Sequence, residues 1–157
     1  MKRYLLILFC LTLVLKLSAQ ELTASDLTKY FQMEVSVITH EVSKKNFKLI
    51  KKSNDYLDDK DNYTCFWAVN FDQKNDDSFE WFTVSIYDGK KSRIMYETKS
   101  KSNFLAFKQS LKRSGFVFSQ NFKNSEEIEP STIYVNDKYV LTIQPRFDRW
   151  TIYFRKK

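Results

Sequence analysis

The stretch Lys112-Arg113-Ser114-Gly115-Phe116-Val117-Phe118-Ser119, KRSGFVFS, reads as a helix end running directly into a strand. Gly115 is the residue type best able to take the left-handed conformation that closes many helices. Upstream of it Phe104, Phe107 and Leu111 fall three and four residues apart, on one stripe of a helix over about 103–114. An earlier stretch, Lys44-Lys45-Asn46-Phe47-Lys48-Leu49-Ile50, has the same grammar. There Val35, Ile38 and Val42 form the stripe of a helix over about 35–45, and Asn46 stands where Gly115 does. Asn is one of the few other residues that tolerates that conformation. An offset of 69 carries Val35, Ile38, Val42, Asn46, Phe47 and Leu49 onto Phe104, Phe107, Leu111, Gly115, Phe116 and Phe118. Stripe, cap and strand start recur in order, which indicates one unit used twice.

Downstream of each helix the chain has the same character. The first unit shows strands over about 47–51, 63–71, 79–87 and 93–98; the second over about 116–121, 132–135, 139–144 and 149–155. Tyr63, Cys65, Trp67, Val69 and Phe71 alternate with other residues, as do Phe82, Val84 and Ile86. Asp88-Gly89 is a hairpin signal, 72–78 a polar hairpin loop, and Asn136-Asp137 and 145–148 turn the later strands. Short loops favour antiparallel pairing. The expected fold class is α+β: two tandem repeats of one helix plus four antiparallel strands, over 20–100 and 101–157, with the helices on one face of the sheet. Ahead of the first unit, Ser25-Asp26 before Leu27 reads as a further helix start.

This order of elements resembles the β-lactamase inhibitor protein fold and its small secreted relatives. In that fold two helix-plus-four-strand units build one long sheet whose concave face grips another protein. The resemblance covers nearly all of the chain after its first 19 residues and rests on element order and repeat length. That family carries two disulfides, and here only Cys65 lies beyond the leader, so inhibitor activity and contact residues are not carried over.

The first 19 residues read differently. A basic start, Met1-Lys2-Arg3, precedes an apolar run from Leu5 to Leu15 and a small-residue site near Ser18-Ala19, the pattern of a secretory signal peptide cut after Ala19. The run is too short for a membrane anchor, which needs nearer 20 apolar residues. Cys10 lies inside it, preceded by bulky Phe9, which argues against a lipid-bearing cysteine. Removing Lys2, Arg3 and Lys16 from the 26 basic residues leaves 23 against 19 acidic ones, a net charge of +4 instead of +7. That is an ordinary soluble surface and calls for neither nucleic acid nor membrane. The expected location is periplasmic or secreted, with a fold that rests on its aromatic core instead of disulfides.

Catalytic chemistry finds little support in the residues. His40 is the only histidine and lies off the apolar stripe, so a zinc cage lacks ligands. Cys65 shares its alternation with Trp67 and reads as a buried thiol and not as a nucleophile. The acidic clusters at 58–61 and 72–77 contain no Gly and break the ligand spacing of a calcium loop. Glu80, Glu97, Glu126, Glu127 and Glu129 show no spacing that would pair two carboxylates across a cleft. No cofactor and no metal are expected. The remaining candidate is the second face of the sheet. If Trp67, Phe82, Val84, Leu141 and Ile143 face the helices, the other face should present Phe66, Trp81, Tyr87, Tyr96, Tyr134 and Tyr153 among Lys and Arg. Aromatic and Arg side chains are common interface anchors. The expected function is therefore an exported, non-enzymatic module binding a protein or peptide. The alternatives are an enzyme acting on envelope polymers and an accessory structural envelope protein.

Overall fold

The computed structural model describes residues 21–54, 61–75, 77–123 and 129–157. The expected signal peptide and Cys10 lie outside them. Among the described residues three helices, α1 (Ala24–Gln32), α2 (Val35–Ser43) and α3 (Lys101–Arg113), accompany eight strands. The strands are β1 (Lys48–Asn54), β2 (Tyr63–Val69), β3 (Glu80–Tyr87), β4 (Lys90–Thr98), β5 (Val117–Phe122), β6 (Ser131–Val135), β7 (Tyr139–Pro145) and β8 (Trp150–Lys156). They form one antiparallel sheet in the order β1-β2-β3-β4-β8-β7-β6-β5. Each group of four is a meander, and the two join through their last strands, so the order reads alike from either edge. The chain is α+β, with its helices on the sheet.

The two helix ends have the same hydrogen bonds at the offset of 69. After α2 the Val42 carbonyl accepts from Lys45 N (2.9 Å) and Phe47 N (3.2 Å), and the Ser43 carbonyl from Asn46 N (3.0 Å). After α3 the Leu111 carbonyl accepts from Ser114 N (3.1 Å) and Phe116 N (3.0 Å), and the Lys112 carbonyl from Gly115 N (3.2 Å). Asn46 and Gly115 both take positive φ, 64° and 74°. The next strands even carry a bulge at the matched place, between Leu49 and Lys51 in β1 and between Phe118 and Gln120 in β5. A Cβ at Gly115 would meet nothing within 4 Å. Its replacement by Ala therefore tests backbone conformation alone. Gly115→Ala should lower stability by about 1 kcal/mol, read as a shift in the urea midpoint at constant slope. Asn46→Gly should move the midpoint the other way.

Helix α1 starts two residues earlier than Ser25-Asp26 suggests. Thr23 is the N-cap: its Oγ1 accepts from Asp26 N (3.1 Å), while Asp26 Oδ2 accepts from Thr23 N (2.8 Å). This reciprocal box needs an acid three residues after the cap, and Asp26 stands at that distance from Thr23, not from Ser25. The helix bridges the two meanders. Tyr30 meets Phe82 of β3 edge-on (5.7 Å between ring centroids), and Phe31 meets Tyr139 of β7 (5.6 Å) and Phe154 of β8 (5.7 Å). Ala24 N donates to Ser110 Oγ of α3 (2.9 Å), fixing α1 against its neighbour. One contiguous core results, holding Leu27, Ile38, Trp67, Phe82, Phe107, Leu141 and Phe154 together. The parity that places Trp67, Phe82, Val84, Leu141 and Ile143 inside is thus observed: all five are buried. Strand β2 ends at Val69 and not Phe71, because Asn70 takes a positive φ of 54° and turns the chain out of the ladder.

Candidate functional site

The residues opposite the core in register form the face that none of the described helices covers, here called the uncovered face. A single cross-strand row runs Lys51, Phe66, Thr83, Met95, Tyr153, Thr142, Ile133, Gln120, one residue from every strand. The next row holds Ala68, Trp81, Glu97, Thr151 and Gln144. Thr83, Ala68 and Thr151 are small and buried, so they floor the face between larger half-exposed neighbours. Over that floor Lys51, Phe66, Trp81, Thr83, Met95 and Glu97 line a hollow of about 190 Å³.

Charge is distributed around the aromatic rings. Lys51 Nζ sits 4.9 Å from the Phe66 ring centre and the Arg93 guanidinium 5.6 Å from that of Tyr153. Arg146, in the β7–β8 turn, reaches the Tyr153 hydroxyl with Nη2 at 3.4 Å. Phe71 packs edge-on against Trp81 at 5.4 Å. Glu97 accepts from Thr151 Oγ1 (2.9 Å) and lies 3.7 Å from Arg149 Nη1.

One end of the face is tied by ion pairs. Asp77 in the β2–β3 connection meets Lys99 (2.6 Å) and Arg149 (3.1 Å), and Asp148 meets the same two cations, each at 3.1 Å. Hydrogen bonds from Lys99, and from the Ser78 amide and Arg149, hold the Asp77 carboxyl at about 2. Those from Arg149 and Lys99 do the same for Asp148. The network fastens both meanders at that end and leaves these acids occupied structurally. Next to it Phe147 projects from the turn, 97% exposed.

Of the six residues expected on this face, Phe66, Trp81 and Tyr153 are brought together there. Tyr87 has the same parity but is 68% exposed at the hairpin end, six residues or about 20 Å along the strand from Trp81. Tyr96 and Tyr134 do not belong to it. Tyr96 pairs with Phe82 and Ile152 and is fully buried on the helix side, where its hydroxyl donates to Glu80 Oε1 (2.7 Å). Tyr134 pairs with Leu141 and packs on the core. Met95, Lys51, Arg93, Arg146 and Phe147 are the neighbours that alternation did not single out.

The other sequence candidates are accounted for locally. His40 is exposed on α2. Cys65 is buried, and burial pushes its thiol up, away from the thiolate a nucleophile needs. Asp72 Oδ1 accepts from Lys74 N (2.9 Å) and its Oδ2 from Asn75 Nδ2 (2.6 Å), so this carboxylate closes its own turn. Positions 58–60, Glu126 and Glu127 lie outside the described residues. Among the described residues no three His, Cys, Asp or Glu side chains gather to hold a metal ion, and no helix is long and apolar enough to cross a membrane. The chain matches no protein-family model, no curated protein and no solved structure.

Proposed function

We propose that the chain is an exported, non-enzymatic binding module that takes a protein or peptide against its uncovered sheet face. One observation carries this reading: Phe66, Trp81 and Met95 stand half-exposed around a hollow on the face opposite the three helices, with Lys51 over the Phe66 ring, and half-exposed Tyr153, flanked by Arg93 and Arg146, continues the same row beside Met95. Large apolar side chains held by a rigid sheet lose little freedom on binding, and Arg and Lys among them favour an acidic or carbonyl-rich partner. Export is inferred from the basic start, the apolar run and the small-residue site of 1–19. In the β-lactamase inhibitor protein fold, which the order of elements resembles, a sheet face also grips another protein; that family's inhibitor activity and contact residues are not carried over to this chain.

The test is capture from an envelope extract by immobilised protein, and then titration of whatever is captured. Phe66→Ala with Trp81→Ala should weaken that capture by about tenfold or more, since central aromatic anchors carry most of the energy of such interfaces. Undiminished capture by a normally folded double variant would remove this face from consideration.

A further inference from the structure

We infer that β5 is a self-pairing edge through which two copies of the chain join into a continuous sheet. The two edges of the sheet differ in one respect. Strand β1 carries Lys48, Lys51 and Lys52, the usual means by which a protein keeps a free edge from pairing. Strand β5, Val117-Phe118-Ser119-Gln120-Asn121-Phe122, carries no charge, and all six of its residues are exposed. Val117 (63%), Phe118 (59%) and Phe122 (52%) leave large apolar surface on a strand that ends the sheet order, with β6 its one strand neighbour among the described residues. Both edges have a bulge at the matched position, so the bulge does not distinguish them. Charge does.

A strand edge is satisfied by another strand, and this chain offers itself three ways to supply one. Pairing β1 with a second β1 would bring lysines against lysines, which is destabilising. Pairing β1 with β5 is head-to-tail, leaves an edge free at each end and opens into a filament. Antiparallel pairing of β5 with its own copy is closed by a two-fold axis and opposes uncharged residues throughout. In the register centred between Ser119 and Gln120, Val117 faces Phe122 of the other copy and Phe118 faces Asn121. The next cation in the chain, Lys123, then falls opposite Phe116 instead of another lysine. The axis stands perpendicular to the sheet, so both uncovered faces lie on one side of the dimer and both helix layers on the other. This repeats between copies the antiparallel junction that β4 and β8 make within one. A contact of six residues per copy is smaller than a standard interface of roughly 1,600 Å², so the association is reversible and concentration-dependent.

Sedimentation velocity of the purified protein over a wide concentration series tests this. The expected result is a reversible monomer–dimer equilibrium. Val117→Lys with Phe122→Lys, which sets like charges opposite each other, should raise its dissociation constant by about tenfold or more. Leu49→Lys on the β1 edge should leave it unchanged. The circular dichroism of both variants should match that of the unsubstituted protein, because the three side chains are exposed. A protein that stays monomeric throughout overturns the inference. So does a dimer indifferent to the β5 substitutions, and so does capture of an extended foreign peptide by β5 in a chain that does not dimerise.

Discussion

Replacing Phe82 with alanine should lower the stability of the protein by about 3–5 kcal/mol. Phe82 is fully buried and touches three other rings: Tyr30 of α1 at 5.7 Å, Phe47 at the start of the first meander at 6.2 Å, and Trp67 of β2 at 5.6 Å. Its loss removes the apolar transfer energy of the ring and leaves a cavity between groups that other contacts hold in place. Tyr30 is fixed by α1, and Trp67 by the β2 ladder, so neither can move far to fill the space. Urea unfolding monitored by tryptophan fluorescence measures the effect, with Phe147→Ala, at a fully exposed turn, expected within about 0.5 kcal/mol of the unsubstituted protein. Both meanders contribute to the same core, so the variant should still unfold in a single transition. A loss below about 1.5 kcal/mol would mean that the site collapses easily and is not the packed centre of the core.

The parts of this architecture that sequence reveals are those set by near neighbours. Helix ends are legible because a positive φ selects Gly or Asn, and Gly115 and Asn46 both meet that demand. Strands are legible because alternation comes from the pleat. Faces are less so, since parity within a strand does not say which parity the helices cover. For Tyr96 a signal existed: Arg93 and Glu97 share the opposite parity, which leaves Ile94 and Tyr96 for the core. Tyr134 had no such guide, because Ile133 and Val135, which flank it on the other face, are more apolar than it is and compete for the core. Lys51 shows a different obstacle. Two residues after Leu49 it would share the core parity of Leu49 opposite Trp67, but the bulge inserts one residue and turns Lys51 to face Phe66. A one-residue insertion reverses every side chain after it, and nothing in the stretch KLIKKSN announces it. The joining of the meanders through β4 and β8 is a contact between residues such as Ile94 and Phe154, too far apart in the chain for any local pattern to record. Phe147 was readable in part, as a large apolar residue in a turn where no core can receive it.

Replacing Glu80 with alanine should cost about 3 kcal/mol or more. The Glu80 side chain is buried at the start of β3, on the helix side of the sheet, and its Oε1 accepts three hydrogen bonds. They come from Tyr96 Oη (2.7 Å) and Thr98 Oγ1 (2.8 Å) of β4 and from Asn103 Nδ2 (2.7 Å) in the first turn of α3. The same Thr98 hydroxyl accepts from Ser100 N (3.0 Å), and Ser100 caps the helix by accepting from Asn103 N (3.2 Å). One carboxylate thus ties β3, β4 and the N-terminus of α3 together, where the helix dipole also favours negative charge. Removing it orphans three donors at once, and the cost of a buried unpaired donor exceeds the net worth of the bond it made. Glu80→Gln retains an acceptor at Oε1 and should lose clearly less than the alanine variant. Combining Glu80→Ala with Asn103→Ala should cost less than the sum of the two single changes, because the second removes a donor the first has already stranded. Additive losses in that cycle would show that α3 is held by its packing on Tyr96 and Trp150 alone, with no energetic share from the Glu80 cluster.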